Sequence, residues 1–105
     1  MTTPTDNNPN LLTVIASLRA KPGSEDQLRT ALGSLLEPTR KEDGNVNYDL
    51  HEAVDQPGLF YFYENWESAQ ALQQHMGAPH MVEALGAAQE LLAEPPSIAQ
   101  VKRIG

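Results

Sequence analysis

Three histidines, a carboxylate two residues from an indole, and no cysteine make up most of the chemical means of this chain. His51 lies in an alternating run, and an unperturbed imidazole titrates near neutrality. We therefore expect it to act as a base that removes a proton from a bound small molecule. His75 falls at the end of one expected helix and His80 in the first turn of the next. The helix dipole favours an imidazolium at the former position and a neutral ring at the latter. Together they would supply a donor and an acceptor in one cleft, either of them the proton donor. Asn65 and Trp66 close a strand and are expected to orient a planar substrate, with Tyr48, Phe62 and Tyr63 as its aromatic surroundings.

Glu64 shares its strand face with Phe60, Phe62 and Trp66, so it either contacts substrate or is held by a structural hydrogen bond, since an unpaired carboxylate on an apolar face is costly. Each of these residues also has a plain structural reading. A strand histidine can serve a subunit contact, helix-end histidines can satisfy loose backbone groups, and a lone Trp is often core. No metal is expected. His75 and His80 are five apart with Gly77 and Pro79 between them, which does not place both on one helix face.

Composition narrows the partners. Among 105 residues there are 14 acids and 7 Lys or Arg, a formal charge of -7. Between Gly44 and Val101 there is no Lys or Arg. Such a surface repels polyphosphate, so neither nucleic acid nor an anionic membrane is expected as a partner. A phosphorylated metabolite is also disfavoured, and a neutral or weakly acidic aromatic fits better. The lack of cysteine removes disulfides, thiolate metal sites and thiol nucleophiles. No apolar run reaches membrane-spanning length and the amino terminus lacks the form of a secretion signal, so a cytoplasmic protein is expected.

The elements that must position these groups follow from periodicity. Residues 1–10, rich in Thr, Asn and Pro, are expected to be a disordered leader, and residues 11–105 a single domain. Leu11–Ala20 alternates as a first strand. Ser24, with Gln27 as capping-box partner, should start a helix whose stripe is Leu28, Ala31, Leu32, Leu35 and Leu36, ending near Pro38. Val46–Val54 and Leu59–Trp66 form a hairpin around Asp55–Gly58. Both faces of the second strand are largely apolar, which suits the middle of a covered sheet. Ser68 caps a helix to Met76, and another runs from Pro79 to Leu92 with Met81, Val82, Leu85 and Leu92 inward. Ser97–Ile104 is the last strand. Strand, helix, strand, strand, helix, strand is an α+β, ferredoxin-like split βαβ arrangement, an antiparallel sheet with helices on one face. The open face is apolar enough to predict a homodimer.

The ordered set Glu64-x-Trp66-x-Ser68, Leu72, His75, Pro79 and His80, preceded by Gly44, Tyr48, Leu50, His51 and Pro57, resembles the antibiotic biosynthesis monooxygenase family, which includes quinol monooxygenases. The resemblance covers nearly all of Leu11–Ile104. Where many relatives have a cysteine after the glycine, this chain has Asn45. The resemblance implies a back-to-back homodimer of the dimeric α/β-barrel type. It also implies a cofactor-independent monooxygenase that oxidises a quinol or polycyclic phenol with molecular oxygen. The alternatives are an isomerase moving protons on a small keto or hydroxy metabolite, and a non-catalytic dimeric binding protein. Haem degradation is disfavoured because Val14–Leu18 lacks the asparagine, and Val82–Ala88 the histidine, of haem-degrading relatives.

Overall fold

The computed structural model describes residues 11–105 of the chain, so the expected leader lies outside the described residues. Its strands are β1 (Leu12–Arg19), β2 (Asn45–Glu52), β3 (Leu59–Trp66) and β4 (Ser97–Val101). They form one antiparallel sheet in the order β2-β3-β1-β4. The helices are α1 (Glu25–Gly33), α2 (Leu36–Arg40), α3 (Ala69–Met76) and α4 (Pro79–Ala88). This is the expected ferredoxin-like topology.

Register decides which residues meet. Val14 pairs with Glu64 and Glu64 with Tyr48, while Ala16 pairs with Phe62 and Phe62 with Leu50. These residues share one face because side chains alternate. On that face Val14, Ala16, Leu18, Tyr48, Phe60, Phe62 and Trp66 are buried with Leu28, Leu32 and Leu35 from the first helical segment and Leu72, Met81, Ala84 and Ala88 from the second. The other face carries Ile15, Tyr61 and Tyr63, all large and exposed.

Several local expectations shift. Ser24 makes no side-chain cap; Glu25 instead accepts a hydrogen bond from the Gly23 amide at 2.9 Å. The first helix ends at Gly33, and Pro38 sits inside the first turn of α2, where its missing N–H leaves nothing unsatisfied. Val82 points to solvent, because a helix that buries Met81, Ala84 and Ala88 turns position 82 away. Leu92 lies beyond α4 and a short 3₁₀ turn, where it bridges to Ala20. The last strand stops at Val101. Ser68 does cap α3, accepting from the Ala71 amide at 3.1 Å.

Gly44 fixes how β2 enters the sheet beside α3. Its φ is +86°, and a Cβ there would lie 2.5 Å from Ala71 Cβ, while its carbonyl accepts from the Glu67 amide at 2.8 Å. Both the backbone and the space demand glycine. Gly44→Ala should therefore cost about 2 kcal/mol or more, read as a lower denaturation midpoint with an unchanged slope.

Candidate functional site

Between the sheet and the helices lies an apolar cavity of about 100 Å³. Its floor is Val14, Ala16, Phe62 and Tyr48, its roof is Leu32, Leu35, Leu72, Met81 and Leu85, and Ile98 and Gln100 of β4 form one rim. Glu64 and His75 are the titratable groups that line it together with Tyr48.

Glu64 is brought here by alternation on β3, the strand between β1 and β2, so its position is fixed on both sides. It is 5% exposed. The Trp66 indole Nε1–H donates to its Oε1 at 3.0 Å. Burial pushes its carboxyl up to about 7, against the Trp66 hydrogen bond, which pulls it down, and with a smaller push from the Glu42 charge. A carboxyl divided between its two forms near neutral pH is suited to taking and returning protons.

His75, in the last turn of α3, packs its ring against Trp66 at 4.6 Å and against the Tyr48 ring edge-on at 5.3 Å. Its Nδ1 lies 2.9 Å from Glu42 Oε2. With Nδ1 donating to the Glu42 carboxyl oxygen, the other ring nitrogen is left as an acceptor. Burial lowers the His75 pKa more than the Glu42 hydrogen bond and charge raise it, which favours the neutral ring. Tyr48 turns its hydroxyl towards Met81 Sδ at 4.0 Å, and burial raises its pKa far above the usual phenol range.

The residues singled out in the sequence thus divide between two faces. Glu64, His75, Tyr48 and Phe62 meet at the cavity. Trp66 is fully buried behind it and acts on it through Glu64. His80 stands outside the cavity, its Nε2 on Glu42 Oε2 at 2.6 Å. His51, Asn65 and Tyr63 lie on the open face, because odd positions of β2 and β3 turn away from the helices. His51 pairs in register with Tyr61, and Asn65 donates to Asn47 Oδ1 at 2.9 Å and accepts from the Thr13 hydroxyl. The expected base and the expected orienting amide are therefore on the far side of the sheet from Glu64 and His75. Nor does the five-residue spacing separate His75 from His80: the corner between α3 and α4 turns both rings onto one carboxylate. That carboxylate, Glu42, carries no signal in the sequence, because nothing in the pattern of a pre-strand turn marks it.

The comparisons agree with this architecture. The family model for antibiotic biosynthesis monooxygenases matches residues 11–87, and the chain belongs to that family. Rv0793 of Mycobacterium tuberculosis, named provisionally as a monooxygenase, is 36% identical over 85 residues, 81% of this chain and 83% of that protein. Its solved structure superposes with a TM-score of 0.85 over 90% of this chain and 96% of that one. The crystal structure of PA3566 from Pseudomonas aeruginosa, 33% identical, gives 0.86 over 91% and 96%. Monooxygenase is thus the general class of enzyme, and among the described residues no helix is long and apolar enough to cross a membrane.

Proposed function

We propose that this protein is a cofactor-independent, cytoplasmic monooxygenase that oxidises a quinol with molecular oxygen. The observation that supports this most is Glu64, a carboxyl with a pKa of about 7 held by Trp66 in an apolar wall. Glu64 takes the phenolic proton, and the electron-rich anion passes one electron to oxygen. The resulting radical pair joins by a new C–O bond at a ring carbon. The peroxide takes the proton back from Glu64, and the O–O bond breaks as the ring C–H proton leaves and joins the departing hydroxide as water. Quinol and O₂ become hydroxyquinone and water, so the substrate supplies all the electrons. The protein contributes proton transfer, orientation and exclusion of water.

Cavity size bears on the substrate. An apolar cavity of about 150 Å³ holds one benzene. The space here, about 100 Å³, suits a single ring after slight adjustment of Met76 or Met81 at its margin, and a polycyclic phenol needs α4 to shift. One-ring quinols are therefore the first substrates to test.

The test is oxygen uptake by metal-free, flavin-free protein with substituted hydroquinones, compared with autoxidation and with the variants Glu64→Gln and His51→Ala. Enzyme-dependent uptake lost in Glu64→Gln is the expected result. Uptake no faster than autoxidation overturns the oxygenase reading, and loss on His51→Ala with Glu64→Gln unaffected moves the site to the other face.

That other face is proposed to bury itself against a second copy of the chain. Ile15, Tyr61 and Tyr63 give it a hydrophobic centre, and a domain of this size gains from a shared interface. Tyr63→Asp should turn a dimer into a monomer in sedimentation velocity. A wild-type monomer at micromolar concentration would refute the pairing.

A further inference from the structure

Beside the cavity, three side chains from three separate segments converge. Glu42 comes from the turn before β2, His75 from the end of α3 and His80 from the start of α4. Their donor atoms all lie within 4.8 Å of one another, with Glu42 Oε2 2.9 Å from His75 Nδ1 and 2.6 Å from His80 Nε2. We propose that Glu42, His75 and His80 form a binding site for a divalent transition-metal ion of the zinc type.

The ligand set is chemically apt. Two imidazoles and a carboxylate are the donors that borderline cations select, and three protein ligands leave room for water or another oxygen donor. The donors must rearrange to hold an ion. An ion about 2.0–2.1 Å from each donor sets neighbouring donors roughly 3.0–3.4 Å apart, so both short contacts must open, the shorter by about 0.4–0.8 Å, and the two imidazole nitrogens, now within 4.8 Å of one another, must settle into the same range through movement of the partly exposed His80 and Glu42 side chains. Access runs from the solvent side. The side chain of His80 is 26% exposed, that of Glu42 16% and that of His75 1%, so an ion arriving at His80 meets its innermost ligand last.

Two neutral rings and one carboxylate leave a divalent ion with a single net positive charge, which bound water or hydroxide can share. The nearest cations in sequence, Arg40 and Lys41, are paired with Asp49 and Glu37 and not with Glu42. Binding also changes His75. With the ion on Nδ1, the proton must sit on the other ring nitrogen, and an acceptor becomes a donor. If the oxygenase reading holds, occupancy would alter turnover, but the site itself does not depend on that reading.

The experiment uses the full chain, stripped with a chelator and dialysed. Zn²⁺ is titrated in competition with a chromophoric chelator, and Co²⁺ is followed by its visible absorption. The expected result is one ion per chain, bound about 100-fold or more weaker in His80→Ala and Glu42→Gln and unchanged in His51→Ala, whose ring is on the open face. His80 is partly exposed, so its variant should fold, and a thermal melt confirms this. Failure to bind one equivalent, or equal affinity in His80→Ala, overturns the proposal and leaves the three groups as a hydrogen-bonded clamp. The titration contains no substrate, so it tests ion binding alone, and oxygen uptake by metal-free protein tests the oxygenase reading separately.

Discussion

Glu64→Gln should lower turnover by about 10²–10⁴-fold while making the protein more stable in alkaline solution. The amide keeps the shape of the side chain, and its oxygen can still accept from the Trp66 indole, so the cavity survives. What is lost is the group that changes protonation near pH 7. In the wild type, the rate should rise with pH along a limb centred near 7 as the carboxylate forms, and the variant should lack that limb.

The stability effect has a defined sign. In the unfolded chain the carboxyl titrates near 4.5, and in the folded protein at about 7. The folded state therefore binds more protons across that interval, and its stability falls as pH rises from about 4.5 to 7. A shift of this size corresponds to about 3 kcal/mol at pH 8 and above. Glu64→Gln removes that loss, and urea denaturation at pH 5 and pH 8.5 checks it. Equal midpoint changes at both pH values would show that Glu64 is not desolvated as described. Such a pairing of lost activity with gained stability is the usual signature of a strained functional group.

Trp66→Ala should cost about 3–5 kcal/mol, a large part of the 5–15 kcal/mol that holds a domain of this kind together. Trp66 is fully buried, and its ring packs on His75 as well as covering Glu64. Trp66→Phe separates packing from hydrogen bonding. It keeps most of the apolar volume but removes the N–H that favours the charged carboxylate, so the Glu64 pKa should move above 7 and the rising limb of the rate profile with it. A limb that stays in place in Trp66→Phe would mean that the indole acts only as filler.

How much of this was legible in the sequence depends on the range of the interaction. The strands were readable because alternation at period two is local, and the aromatic run Leu59–Trp66 marked its own place beside two neighbours. Phe62 and Glu64 were readable as sharing a face for the same reason. The grouping of His51 with His75 was not, because which side of the sheet the helices cover is decided by burial summed over the whole chain. Alternation alone sets His51 on the face opposite Tyr48, and it is the burial of Tyr48 under the helices that makes the His51 face the open one. Glu42 was hidden for a different reason. It acts across 33 residues from the His75 it binds, from a turn whose sequence constrains only its own backbone. The helix boundaries near Pro38 and Leu92 slipped because local propensity is weak beside tertiary packing.

The cation-free run from Gly44 to Val101 has a consequence for the end of the catalytic cycle. The hydroxyquinone of the proposed reaction is a vinylogous acid that departs as an anion, whereas the proposed quinol enters neutral. The cavity wall offers that anion no Lys or Arg, and Glu64 faces it with its own charge. The product, made more acidic by the reaction, is thus repelled by the same wall that accepted its precursor. Turnover should then be limited by the chemical step rather than by escape, with product inhibition weak and weakening further as pH rises through 7.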